Sequence, residues 1–300
     1  METKFHTPVL LNESINGLAI SSGGIYVDAT YGGGGHSKKI LETLGKGKLL
    51  AFDQDVDTLD NIINDDRLIF IQHNFRFLKN FLRFHGFEYI DGILADLGVS
   101  SHDFDVPDRG FSFRFDGNLD MRMNQSAKRT AAQIINEYDL SELEKIFREY
   151  GELSNARKTA QVIVEARQIN PINTTQQLCK VLEPQVPQKA ANKYMAKVFQ
   201  ALRIEVNQEL EVLKSFLNDA VDVLKPGGRL VVISYHSLED RLVKNLIQKG
   251  DFSGEIEKDF FGNIQAKFKP IGKKVIVPSE KEIDMNPRAR SAKLRIAERI

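Results

Sequence analysis

Residues 25–37 read Ile25-Tyr26-Val27-Asp28-Ala29-Thr30-Tyr31-Gly32-Gly33-Gly34-Gly35-His36-Ser37. An apolar run ends on an acid, four glycines follow, and a helix-like segment begins. A chain leaving a buried strand for a helix must turn sharply, and glycine permits both the positive φ of such a turn and the close approach of a ligand to the backbone. A second acid-tipped run ends at Asp53. Together the two runs describe a nucleotide-type cofactor pocket at the carboxyl edge of a parallel sheet.

Working outward, short apolar runs alternate with helix-like stretches, the rhythm of parallel strands joined by crossover helices. Strands are expected at 25–29, 49–53, 68–72 and 90–97, each largely apolar as strands buried on both faces should be. Asp28, Asp53 with Asp55, and Asp96 lie near the ends of three of them. After Gly98 about a hundred residues pass with helical periodicity and almost no strand signal. Ser141 with Glu144, and Thr174 with Gln177, have capping-box spacing. One long amphipathic helix is expected through Val206, Leu210, Leu213, Leu217, Val221 and Leu224, stopping at Lys225-Pro226-Gly227-Gly228 before a strand at 229–234. The expected fold is therefore α/β and Rossmann-like, with a mostly parallel sheet and an inserted helical domain. Residues 1–105 and 200–300 would form the cofactor-binding domain, and 106–199 the helical insert.

Composition narrows the classes. The 300 residues carry 41 Lys plus Arg against 41 Asp plus Glu, so no net field draws the chain to a polyanion or membrane, and any such site must be local. Residues 266–300 hold ten basic residues against four acids, which makes the tail a candidate RNA contact. The single cysteine, Cys179, excludes an intrachain disulfide and a four-cysteine zinc site and suggests a reducing compartment, here expected to be the cytoplasm. No stretch reads as a signal peptide or membrane span, and the six histidines show no pair at metal-ligand spacing, so no membrane and no metal are expected.

The glycine turn discriminates between cofactors. Neither register supplies the third glycine of G-x-G-x-x-G, because Ser37 or Lys38 stands there. Gly45-Lys46-Gly47 lacks the serine or threonine of a phosphate loop. S-adenosylmethionine remains, with an adenosine, a zwitterionic amino acid and no phosphate. Asp53, 18 residues past Gly35, suits its ribose hydroxyls.

Several strings then resemble one family, the bacterial methyltransferases often called MraW or RsmH, which methylate N4 of a cytidine in the decoding region of 16S ribosomal RNA. They are His6-Thr7-Pro8-Val9-Leu10-Leu11 with Glu13; Asp28-Ala29-Thr30 leading into Gly32 to Ser37; and Asp91-Gly92-Ile93-Leu94-Ala95-Asp96-Leu97-Gly98-Val99-Ser100-Ser101. Further strings are Arg109-Gly110-Phe111-Ser112-Phe113 with Leu119-Asp120-Met121-Arg122-Met123; Phe199-Gln200-Ala201-Leu202-Arg203; Ser234-Tyr235-His236-Ser237-Leu238-Glu239-Asp240-Arg241; and Asn286-Pro287-Arg288-Ala289-Arg290-Ser291. The resemblance implies a class I methyltransferase fold. It also implies Gly33, Gly34, Gly35 and His36 against the methionine part of the cofactor, Asp53 on the ribose, Phe75 beside the adenine and Asp96 near the sulfonium or target amine. Asp103 stands in the loop where the family generally has glutamine, and it is a further candidate cofactor contact. The family's His-Pro-Ala-Thr-Arg is replaced by Lys193-Tyr194-Met195-Ala196-Lys197.

Cytosine's exocyclic amine is a poor nucleophile, so an acceptor must stand near the sulfonium, and Asp96 is expected to be that catalytic group. RNA contacts are expected from Arg109, Phe111, Phe113, Arg122 and Arg203, with His236 and Ser237 beside the target nucleotide. The expected partner is 16S rRNA in the small ribosomal subunit, with monomer and homodimer both open. Two other classes stay in view: a nicotinamide-dependent oxidoreductase, and a ribosome-assembly factor that binds RNA without turnover.

Overall fold

The computed structural model describes residues 8–99, 104–186, 190–255 and 266–300. His6, Thr7 and the loop Ser100-Ser101-His102-Asp103, with its candidate contact Asp103, lie outside the described residues. The chain divides into two compact units, Met1–Gly98 with Leu210–Ile300, and Val99–Glu209.

The first unit is built on a seven-stranded sheet of β1 (Ile25–Asp28), β2 (Lys48–Asp53), β3 (Leu68–Gln72), β4 (Ile90–Asp96), β5 (Leu224–Ser234), β6 (Phe268–Pro270) and β7 (Lys293–Arg299), in the order β3-β2-β1-β4-β5-β7-β6. The first five strands are parallel, while β7 runs antiparallel to β5 and β6 antiparallel to β7. The α/β, Rossmann-like reading holds. Alternate residues of each central strand enter opposite cores, which is why the strands read as continuous apolar runs. Val27, Leu50, Ile93 and Val232 face one core with Phe216, Leu217, Val243 and Leu246. Tyr26, Leu49, Leu94 and Val231 face the other with Leu18, Ile40 and Leu41. On the second face lie α1 (Leu11–Leu18) and α2 (Gly35–Thr43), and α3 (Leu78–Phe84) packs on the first.

The second unit is helical, with α4 (Ala131–Glu137), α5 (Leu140–Glu149), α6 (Ala156–Arg167), α7 (Thr175–Leu182) and α8 (Ala191–Asn207) around Phe111, Leu119, Met121, Ile134, Phe147, Ile163 and Leu202. The Thr174 and Gln177 capping box forms at α7 as expected. At α5 the expectation needs correction: the box is Asp139 with Glu142, and Glu144 pairs with Arg148 on the helix surface. An acid two positions earlier took the cap, with Ser141 Oγ donating to it at 2.7 Å.

The long helix expected through Val206 and Leu224 is also two helices, α8 and then α9 (Glu209–Val223), separated at Gln208 with φ of 52°. Asn207 accounts for the break. Its Nδ2 donates to the carbonyl oxygen of Met121 at 2.8 Å, and its Oδ1 accepts from Met123 N–H at 2.8 Å, long-range bonds made just where the helix ends. The chain then continues into α10 (Ser237–Lys249) and α11 (Glu280–Met285) of the first unit.

Part of the basic tail serves the fold. Three of its cations belong to β7: Lys293 and Arg295 both bond Asp240, at 3.3 and 2.6 Å, and Arg299 donates to the carbonyl oxygen of Val221. Burial raises the Asp240 carboxyl, yet the bond from Arg295 and the charges of both cations outweigh it and hold it below its ordinary value of 3.8. A group whose folded pKa is depressed adds stability above its unfolded value and loses it as pH falls through the folded one. Asp240→Asn is thus expected to lower stability at pH 7 by about 1–3 kcal/mol, a deficit that narrows below about pH 4. Urea denaturation across that range measures it, and an unchanged midpoint at pH 7 would contradict the anchoring role.

Candidate active site

The carboxyl ends of β1, β2, β4 and β5 form one edge, and β1 lies between β2 and β4, the position where strand order reverses and open α/β sheets bind ligands. Asp28 ends β1 and is fully buried. Its Oδ2 accepts from Ser37 Oγ at 2.7 Å and its Oδ1 from Thr30 N–H at 3.1 Å, while Thr30 Oγ1 accepts from Asp96 N–H at 2.7 Å. One acid therefore ties the strand end, the first turn of α2 and the end of β4 together. Burial pushes its carboxyl above the usual range, against the pull of those bonds.

The glycine turn is shaped by Tyr31. That hydroxyl donates to the carbonyl oxygen of Asn61 at 2.7 Å and accepts from Ile63 N–H at 3.0 Å. Gly34, at φ of 74°, packs so close that a Cβ there would stand 2.7 Å from the same hydroxyl. Over Gly32 and Gly33, in contrast, a Cβ would meet nothing within 4 Å. Gly34 caps α2 without a side chain, and the first turn holds no acid. The positive dipole end of α2 suits the carboxylate of an amino acid, and the open space over Gly32 and Gly33 suits the rest of it.

Asp53 ends β2. Its Oδ2 accepts from Gly32 N–H at 2.8 Å and its Oδ1 from Asp55 N–H at 2.9 Å. Each carboxylate oxygen has two acceptor sites, so both can still accept from a ribose diol. Burial pushes this carboxyl up to about 6, with the two backbone bonds opposing and Asp55 and Asp28 adding to the rise. The residues present thus fit an S-adenosylmethionine-like ligand at both its polar ends.

Asp96 ends β4, and its side chain is 18% exposed. Oδ1 accepts from the Tyr235 hydroxyl at 2.7 Å, and Oδ2 lies 3.9 Å from His36 Nδ1. His36 Nε2 is 3.1 Å from the carbonyl oxygen of Val9, which can only accept, so that nitrogen carries a proton. Burial pushes the Asp96 carboxyl up to about 6; His36 and the Tyr235 bond lower it, and Asp28 and Glu239 raise it. The structure thus brings the glycine turn, His36, Asp53 and Asp96 to one edge.

Phe75 stands just past β3 on the same edge, partly buried, its ring centroid 5.1 Å from that of Phe216 in an edge-to-face arrangement. His236 caps α10, its Nδ1 accepting from Glu239 N–H at 3.4 Å, and Ser237 is the first residue of that helix. The second unit's candidates are engaged in its own packing. Phe111 is buried, Phe113 lies edge-on to Phe199, and the nearly buried Arg109 donates to the carbonyl oxygens of Arg122 and Met123. Arg122 pairs with Asp120 at 2.7 Å, and Arg203 grips Glu209 through two bonds of 2.8 and 2.9 Å. The side chains that this loop does expose between Phe111 and Asp120 are Arg114, Phe115, Asp116 and Asn118. Tyr235 received no role from the sequence. The only signal was its place in the Ser234-Tyr235-His236 string after a strand, because its bond to Asp96 spans 139 residues.

The raised Asp96 carboxyl has a consequence for stability. The folded protein holds that proton more tightly than the unfolded chain, so ionisation costs stability as pH rises through about 6, and the cost is absent below the unfolded value of 3.8. Asp96→Asn can keep the Tyr235 bond without the charge. It is expected to stabilise the protein at pH 7.5 by on the order of 1–3 kcal/mol, with the gain vanishing near pH 4. A urea midpoint that is unchanged or lower at pH 7.5 would contradict this.

The chain is similar to known proteins along nearly its whole length. The sequence model of the MraW methylase family matches residues 3–300. Ribosomal RNA small subunit methyltransferase H of Flavobacterium johnsoniae is 58% identical over 298 residues, covering 99% of this chain and 98% of its own. The protein of the same name from Bacteroides thetaiotaomicron is 57% identical over 299 residues, with the same coverage. Among solved structures, an rRNA methylase from Streptococcus thermophilus aligns over 100% of this chain and 99% of its own at 13% identity and a TM-score of 0.44. The oxidoreductase and non-catalytic alternatives find no support in these relatives. The chain belongs to the MraW methylase family and is an S-adenosylmethionine-dependent methyltransferase with a Rossmann-like fold.

Proposed function

We propose that this enzyme methylates the N4 amine of a cytidine in the decoding region of 16S rRNA, with the small ribosomal subunit as its partner and the cytoplasm as its compartment. The observation that carries the chemistry is Asp96, a carboxylate fixed at the end of β4 by Thr30 and Tyr235 on the same edge as the open glycine turn. The relatives' names supply the substrate class. Among the described residues, no helix is long and apolar enough to cross a membrane.

When bound, the cofactor supplies a methyl group on a positively charged sulfur. The first turn of α2, with Gly33, Gly34, Gly35 and His36, holds its amino-acid end; Asp53 accepts from the ribose hydroxyls; Phe75 offers a ring edge to the adenine. Asp96 accepts a hydrogen bond from the target amine, which aligns the nitrogen and concentrates electron density on it, and takes the proton as the amine is methylated. Raising that carboxyl toward neutrality makes it a better base than an exposed aspartate while leaving it ionised at pH 7.5.

The first unit is assigned the cofactor and the chemistry, and the second the recognition of rRNA. Since Arg109, Phe111, Arg122 and Arg203 serve packing, phosphate contact and stacking in that unit are assigned to Arg114 and to Phe115, 49% exposed. Lys273, Lys274, Lys281 and Arg290, all exposed, extend phosphate contact along the tail of the first unit.

Asp96→Asn is expected to lower methyl transfer to rRNA by about 10²–10⁴-fold while leaving cofactor affinity near that of the native protein. Radiolabel transfer and calorimetry read the two, and native turnover in the variant would refute the assignment. Asp53→Ala is expected to do the opposite, weakening cofactor binding by about 10-fold or more through the lost charged hydrogen bonds. Nucleoside mass spectrometry should find N4-methylcytidine in the product; a methyl at carbon 5 would overturn the proposal.

A further inference from the structure

Asp96 has two oxygens in different surroundings, and Tyr235 makes the difference. Tyr235 follows β5, the strand paired with β4, and its backbone N–H is held by Glu239 Oε2 at 2.9 Å in the first turn of α10. Its ring lies over the backbone just after β4, where a Cβ added at Gly98 would stand 3.5 Å from the ring. Gly98 itself adopts φ of 102°. From this fixed base the hydroxyl reaches Oδ1 of Asp96 at 2.7 Å. Asp96 is thereby held at two points, its backbone N–H on Thr30 Oγ1 and its carboxylate Oδ1 by the Tyr235 hydroxyl.

We infer that Tyr235 is a positioning residue for methyl transfer: by occupying Oδ1 of Asp96 it sets the carboxylate's rotation and leaves Oδ2 to receive the proton of the target amine. The inference rests on the reading of Asp96 as proton acceptor. The donor direction is unambiguous, because burial and the neighbouring carboxylates push the phenol's pKa far up and keep its proton in place. Oδ2 then faces His36 Nδ1 at 3.9 Å, on the side of the glycine turn. A carboxylate free to rotate would present either oxygen, and a reacting group misaligned by a fraction of an ångström loses rate rather than affinity. Among the described residues, the charged and titratable groups that act on Asp96 are His36 from α2, Tyr235 after β5, Asp28 at the end of β1 and Glu239 in α10. Of these only Tyr235 donates a hydrogen bond to the carboxylate without bearing charge.

The test is Tyr235→Phe, which keeps the ring over Gly98 and removes only the hydroxyl. Cofactor Kd and melting temperature should stay near the native values, kcat should fall by about 10-fold or more with KM for rRNA little changed, and the acid limb of kcat against pH should move upward by about half a unit or more, since a hydrogen bond that favours the carboxylate has been lost. Unchanged kcat and pH profile overturn the inference, as does a loss confined to cofactor affinity or stability, which would reduce Tyr235 to packing. Asp96→Asn measured alongside separates the two levels. If that variant turns over normally, the reading of Asp96 itself fails; if it is inactive while Tyr235→Phe behaves as native, only the role given to Tyr235 fails.

Discussion

Asp28 is the buried acid from which the active edge is hung. With no exposed surface, it binds Ser37 in the first turn of α2 and the backbone of Thr30, and Thr30 in turn holds the backbone of Asp96. The end of β1, the first turn of α2 and the distant end of β4 are thereby placed by hydrogen bonds to one carboxyl group and its neighbour. Burying such a group is expensive unless its oxygens are satisfied, and these are. An apolar side chain at this position would pack in the sheet but would leave the glycine turn and the end of β4 without their common tether.

The same edge carries two further acids, Asp53 and Asp96, both pushed up to about 6 by burial. Three carboxyl groups gathered at one end of a sheet repel one another and resist desolvation, so the edge is held at a cost in stability that the two cores beneath it must offset. The arrangement makes sense for a ligand that is itself positively charged. A sulfonium and an ammonium brought to this edge would favour the ionised acids and lessen the repulsion, and the positive dipole end of α2 would suit the one negative group of such a ligand.

Much of this was legible in the chain because the central strands are buried on both faces and write themselves as apolar runs, with Asp28, Asp53 and Asp96 at their ends. The glycine turn was legible because Gly34 must accept a left-handed conformation against Tyr31. What escaped depended on distant partners. Strand β7 alternates cations with apolar residues, so Lys293 and Arg295 read as a solvated tail until Asp240 is seen beside them. The break at Gln208 follows from Asn207 reaching back to Met121 and Met123. The arginine and phenylalanine loop reads as an RNA surface from composition, yet Arg109 and Phe111 are buried in their own unit, because residue type alone does not say which way a side chain points. Tyr235 needed the pairing of β4 with β5 to bring it to Asp96.

The most direct measurement is a crystal structure of the enzyme with S-adenosylhomocysteine. The ligand is expected at the carboxyl edge of β1, β2 and β4, its ribose hydroxyls on Asp53, its amino-acid carboxylate at the first turn of α2 and its sulfur toward Asp96. A ligand seated elsewhere, or one whose ribose makes no bond to Asp53, would contradict the account.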